Sequence, residues 1–117
     1  MSVTISSLKA VARCPAGTVR KYTNSEIKGI HSGKIRNDGA GSVTCQINVS
    51  VRDSDGHKND NSQSLVVEAR KERRFSYETP LSVSYSNIGR KTVSATTVVK
   101  IGSKSDSATD TCAFEVR

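Results

Sequence analysis

The stretch Val43-Thr44-Cys45-Gln46-Ile47-Asn48-Val49-Ser50-Val51 puts an apolar side chain at every second position and Thr, Gln, Asn or Ser between them. Period-two alternation of that length specifies a β-strand with one buried face. The pattern returns at Val93, Ala95, Thr97, Val99, Ile101 and again at Cys112, Phe114, Val116. The chain is therefore built of strands that each give one face to a shared core. No catalytic or ligand-binding constellation accompanies the pattern, so it speaks to fold before function.

Strands are predicted near residues 2–12, 27–36, 42–52, 64–70, 73–78, 81–86, 91–102 and 110–117, each bounded by turn chemistry. Asn37-Asp38-Gly39-Ala40-Gly41, Asp55-Gly56 and Ile88-Gly89 supply positive φ and Asx hydrogen bonds, and Pro80 punctuates. No segment sustains a 3.6-residue period. The reading is all-β: one domain over residues 1–117, an immunoglobulin-like two-sheet antiparallel β-sandwich of about seven or eight strands. Only 34% of residues are hydrophobic and there is no Trp, so the core is expected to be thin and made of β-branched and small side chains. A sandwich suits that supply, because it asks for one inward face per strand. The polar connection from Asp53 to Ser62 is expected to form an exposed, mobile loop at one end.

The order of parts resembles bacterial and archaeal immunoglobulin-like modules of the CARDB kind. Gly33-Lys34-Ile35-Arg36-Asn37-Asp38-Gly39-Ala40-Gly41-Ser42-Val43 is similar to their opening strand, Asn-x-Gly turn and strand. Leu65-Val66-Val67 and Phe75-Ser76-Tyr77 resemble the next pair, and Lys91 to Thr96 with Cys112 to Val116 the last two. The likeness covers residues 3–117 and rests on pattern and turn positions. It implies an adhesive, spacer or structural unit of a cell surface, appendage or virion. The Arg-rich bend at residues 70–74 and the basic first third depart from the family pattern.

Cys45 and Cys112 fall on the apolar parity of their strands, so they are expected to point inward and face one another across the sheets. A bridge between them and two buried free thiols are equally compatible with the sequence, and Cys14, beside Pro15, is free to pair with either or with another subunit. Cys14 makes a poor nucleophile, since His31 lies in a different predicted strand and His57 in the loop. No Cys-x-x-Cys or close His pair suggests a metal site. Asp53-Ser54-Asp55-Gly56 with Asn59, Asp60 and Asn61 has the oxygen richness of a calcium loop but lacks the third ligand before the Gly and the closing Glu. It reads as turn chemistry. Asn48-Val49-Ser50 is a glycosylation sequon placed inside a strand. No metal, cofactor or catalytic residue is assigned.

Charge is the remaining lead. The net value is +7, and residues 1–40 carry Lys9, Arg13, Arg20, Lys21, Lys28, Lys34 and Arg36 against Glu26 and Asp38. A second cluster, Arg70, Lys71, Arg73 and Arg74, is interrupted by Glu72. Such an excess attracts phosphate backbones, anionic lipid or acidic glycans, and equally keeps an edge-rich β protein soluble. Nucleic-acid readers add stacking rings, and here Phe75, Tyr77 and Phe114 take core parity, leaving Tyr22 and Tyr85. The eleven carboxylates are scattered, which argues against acid–base catalysis. The function expected is a non-enzymatic structural, decoration or adhesion module of an extracellular, cell-surface or virion assembly. Its partner would be another protein or itself, met through edge strands and end loops. The competing function is docking on nucleic acid or another polyanion through Arg70, Lys71, Arg73 and Arg74. No run of about 18 apolar residues suggests insertion in a membrane. Met1-Ser2-Val3-Thr4-Ile5 also has neither region of a signal peptide, so either release from the host or prior removal of a leader is expected.

Overall fold

The computed structural model describes residues 2–117, which contain eight strands and no helix. In chain order they are β1 (Val3–Arg13), β2 (Thr18–Val19), β3 (Asn24–Asn37), β4 (Val43–Asp53), β5 (Lys58–Val67), β6 (Lys71–Ser84), β7 (Gly89–Ile101) and β8 (Lys104–Val116). They form two sheets, one of order β1-β3-β6 and one of order β2-β8-β7-β4-β5, antiparallel except for the short β2–β8 pairing. The expected all-β sandwich is therefore what the chain adopts.

Inward side chains follow the alternation read from the sequence: Cys45, Ile47, Val49 and Val51 on β4, Val93, Ala95, Thr97, Val99 and Ile101 on β7, Phe114 and Val116 on β8. On β1 the parity changes midway, with Val3 buried before and Ala10 and Ala12 after. A bulge between Ser6 and Lys9, with Ser7 at φ 53°, inserts the residue that flips it. The molecule is drawn out, 56 Å long and 18 Å across, and its core divides into two clusters along that length. The first, from Val3, Ile35, Cys45, Leu65, Val67, Phe75 and Ile101, lies at the end of the β3–β4, β5–β6 and β7–β8 turns. The second, from Ala12, Ile27, Val51, Val83, Tyr85, Phe114 and Val116, lies at the opposite end.

Several boundaries differ from those expected: β3 begins at Asn24 rather than near 27 and β8 at Lys104 rather than near 110, and three further differences have a physical reason or a consequence. The segments 73–78 and 81–86 are one strand, β6, which runs through Pro80. This is tolerated because β6 is an edge strand, where a residue without an N–H breaks no ladder bond. The Asp53–Ser62 connection is a tight turn, and β5 already begins at Lys58. Asp53 closes that turn, its Oδ1 accepting from the N–H groups of Asp55 and His57 while Gly56 supplies φ 93°. The short strand β2, two residues long, was not foreseen at all.

Candidate interaction surfaces

Where the cysteines fall corrects one expectation. Cys45 and Cys112 do not face one another: β4 and β8 belong to the same sheet, with β7 between them. Cys112 is opposite Val93, and Val93 is opposite Asp53. That leaves Cys45 eight residues along β4, about 26 Å away. The bridge is instead Cys14–Cys112, with Cα atoms 6.1 Å apart, tying the exit of β1 to β8. Cys45 is a buried free thiol whose pKa is raised by burial, which makes it inert packing rather than a nucleophile.

Cys14 is held in the disulfide, so neither histidine has a thiol there to activate. His31 is wholly buried between the two core clusters, its Nδ1 2.8 Å from Thr97 Oγ1 and its Nε2 2.9 Å from Thr79 Oγ1. Thr97 donates its own hydroxyl hydrogen to the Lys9 carbonyl, so it must accept from His31. That fixes the neutral tautomer, with Nδ1–H donating to Thr97 and Nε2 accepting from Thr79. Burial lowers the pKa of the ring and keeps it neutral. Gly29 is required beside it, since a Cβ there would lie 2.7 Å from both His31 Nε2 and Thr79 Oγ1. The signal for this core histidine was the alternation Ile27, Gly29, His31, Gly33, Ile35, in which His31 shares the inward parity.

At the second end Asp53 has a fully buried carboxylate, and its Oδ2 accepts from the Tyr85 hydroxyl at 2.6 Å and His57 Nδ1 at 2.8 Å. Burial alone would raise its pKa, but the hydrogen bonds from Tyr85 and His57 outweigh it and hold the carboxylate below its ordinary value. Burial and the same bond push the Tyr85 phenol above its ordinary range. Lys91, nearly buried, pairs with Asp55 at 2.8 Å and lies over the Tyr85 ring. Every acceptor of Asp53 is thus spent inside the fold. Among the described residues no group of three His, Cys, Asp or Glu is arranged to hold a metal ion.

The first end differs. Asn37, buried, donates to the carbonyls of Gly41 and Val67 and accepts from Gly39 N–H, which shapes the β3–β4 turn and the end of the core. Around it stand Lys71, opposite Asn37, Arg73, opposite Ile35, and Arg74, opposite Lys34, with Arg70 in the adjoining turn at φ 60°. The four do not share a face. Arg74 takes the outer face of the three-stranded sheet, while Arg73 reaches across to the Val66 carbonyl on β5. Lys34 and Arg36 join them on the outer face. Among the described residues, Arg70, Lys71, Arg73 and Arg74 have no acidic partner within 4.0 Å, whereas Arg36 pairs with Asp38 at 2.7 Å and Lys34 lies 3.7 Å from Glu72.

The strand edges, expected as contact surfaces, are each blocked over part of their length and open over the rest. Pro80 interrupts the β6 edge and its carbonyl is taken by Asn59. Arg73 caps Val66 on β5. On β1 the bulge is joined by Asp110, which takes the Ala12 N–H, and Lys104, which takes the Val3 carbonyl. β8 is covered at its end by β2. Such devices oppose strand-to-strand association. What is left are two broad faces. That of the five-stranded sheet is mostly short and neutral, with rows such as Ser62, Asn48, Val98, Ser107 and Ser50, Thr96, Thr109. The sequon residue Asn48 sits in the first of these rows and accepts from Ser62 at 2.6 Å.

No protein-family model matches the chain, and no curated protein matches it with significance. Solved structures do. The chain is similar to β-glucuronidase 2 from Bacteroides uniformis, at a TM-score of 0.58 and 14% identity over 90% of this chain and 13% of that one. It is similar also to a β-glucuronidase of glycoside hydrolase family 2, at a TM-score of 0.51 and 10% identity over 87% of this chain and 11% of that one. The module is an immunoglobulin-like β-sandwich. It spans only 13% and 11% of those enzymes, so the likeness is to one small part of each. The module is further similar to the CARDB domain of the PF1109 protein from Pyrococcus furiosus, at a TM-score of 0.46 and 14% identity over 94% of this chain and 87% of the other.

Proposed function

We propose that the module is a non-enzymatic structural, decoration or adhesion unit of an extracellular, cell-surface or virion assembly, meeting a protein partner or further copies of itself through its faces and end loops. What carries the reading is the state of its chemical groups. The buried carboxylate, both histidines, the disulfide and the free thiol are all engaged in holding the fold. Among the described residues no activated group stands beside a hollow, and partly blocked edges favour the faces and ends for contact. Light scattering after size exclusion, at several concentrations in moderate salt, tests it. A discrete oligomer or polymer is expected; a monomer at every concentration would remove self-assembly and shift the reading to docking on a different molecule.

One observation favours the second reading, docking on nucleic acid or another polyanion. Arg70, Lys71, Arg73 and Arg74, with Lys34 and Arg36, occupy one end, and the quartet lacks acidic partners. Polyanion binding would weaken steeply between low and moderate salt, whereas contacts through neutral faces would not.

A further inference from the structure

We propose that the hollow on the outer face of the three-stranded sheet is a subsite for the anionic group of a linear acidic polysaccharide. The inference rests on the second reading above and gives it a site and a ligand class. The hollow measures about 390 Å³ and is lined by Ser7, Ser32, Lys34, Arg74 and Ser76, over Gly33 and Phe75. Its geometry follows from register. Ser32 and Ser76 are opposite one another and too short to fill the surface, while the neighbouring pair Lys34 and Arg74 stands up as a wall. Ser7 borders the hollow from β1, at the bulge, in the left-handed conformation that a non-glycine residue adopts only under constraint. Bulges commonly re-aim a side chain beside a binding site.

The lining side chains are donors: three hydroxyls, an ammonium and a guanidinium fork, with no carboxylate among them. That set complements an oxyanion. Arg74 has no acidic partner among the described residues, so its charge is available, while Lys34 shares a loose, part-exposed ion pair with Glu72 at 3.7 Å that an incoming anion can compete for. The volume exceeds one sulfate or carboxylate and admits part of the ring that bears it.

The shape of the surrounding charge selects the polymer. Along β3, Lys28 and Arg36 are eight residue steps apart, about 27 Å, on a sheet of three strands only about 10 Å across. With Arg13 and Lys9 on β1 and Arg74 on β6, the cations form a stripe parallel to the strands. Three of these cations are already paired, Lys28 with Glu78, Lys34 with Glu72 and Arg36 with Asp38, which leaves Lys9, Arg13 and Arg74 without an acidic partner among the described residues. A narrow stripe fits one extended chain. Single-stranded nucleic acid would look for stacking platforms, yet Phe75 is buried and the exposed ring of Tyr22 belongs to the opposite end, where the Tyr22 backbone N–H donates to the Tyr85 carbonyl. Sugar hydroxyls would find serines.

The test is a titration of the whole chain with dextran sulfate, polygalacturonate, unmodified dextran and a thymidine oligonucleotide of matched length. Binding to one or both acidic glycans, absent with dextran and weaker with the oligonucleotide, is expected; which glycan is preferred tells sulfate from carboxylate. The double variant Lys34→Gln/Arg74→Gln should lose at least about tenfold in affinity. Arg20→Gln/Lys21→Gln, removing the same charge at the other end, should lose less than about threefold. Ser7→Gly, which keeps the backbone conformation and deletes the hydroxyl, should lose about two- to fivefold. Unchanged melting temperatures certify folding, and Arg74→Gln alone serves if the double variant is unstable. Equal loss in both double variants would overturn the subsite in favour of diffuse charge, and tighter oligonucleotide binding would overturn the ligand class. Failure to bind any polymer would remove the subsite and the second reading together, while the structural reading still stands or falls by light scattering.

Discussion

The two ends of the sandwich finish the same kind of core by different means. At the first, an apolar cluster is closed by one neutral amide, Asn37, and the neighbouring cations Arg70, Lys71, Arg73 and Arg74 have no acidic partner. At the second, charge is turned inward: Asp53 is held by Tyr85 and His57, Lys91 by Asp55, and Cys14–Cys112 adds a covalent tie. Charge engaged within a fold holds it together, while charge without a partner is available to another molecule. The second end is therefore the more firmly tied, and the first carries the cations that the fold leaves unpaired among the described residues.

The comparison breaks first at the covalent tie. The bridge closes 98 residues of chain, so replacing Cys14 and Cys112 by Ser should cost about 4 kcal/mol in urea unfolding. A thiol assay on the oxidised, denatured chain should count one thiol, Cys45. Next comes Asp53→Ala, which strands the Tyr85 hydroxyl and the N–H groups of Asp55 and His57 and should cost about 3–5 kcal/mol. At the first end Asn37→Ala should cost less, about 2 kcal/mol, because it deletes neutral bonds only. An equal or larger loss there would erase the distinction between the ends.

Acid should act in two stages. His31 has a lowered pKa when folded, so the unfolded chain takes up the proton first: its contribution is complete above about pH 6.5 and declines as pH falls below that value. Asp53 is lowered too, so its contribution is lost only below about pH 3.8. Urea midpoints measured from pH 8 to pH 3 should show both, and His31→Gln should flatten the upper stage. The smallest effect is at the basic end. Replacing Arg70, Lys71, Arg73 and Arg74 together by Gln should change stability by less than about 1 kcal/mol while reducing retention on a polyanion matrix; unchanged retention would show that the quartet is not a contact.

Much of the fold was legible because alternation reports burial directly. β4, β7 and the end of β8 show one uninterrupted apolar parity, and the structure buries those residues. β1 was legible as one strand near 2–12, but its inward face was not, since the bulge at Ser7 changes parity without any glycine to announce it. Pro80 was misread as punctuation because its tolerance depends on β6 being an edge, a property of the assembled sheet. The disulfide was out of reach for a related reason: parity says which way a cysteine points, and only register says how far along the sheet it lies. The polar knot around Asp53 was visible as turn chemistry, but its partner Tyr85 lies 32 residues away and nothing local connects them. The basic quartet was read correctly as a cluster in sequence, yet alternation and a turn distribute it over two surfaces.

The measurement that bears most directly on how the module makes contact is amide hydrogen exchange, on the dilute chain and in its assembled or partner-bound state. With contacts made by faces and end loops, the open stretches of the edge strands, residues 58–64 of β5 and 104–112 of β8, should exchange alike in both states. Strong new protection confined to those stretches would mean that the chain associates by adding strands at its edges, and would contradict the account.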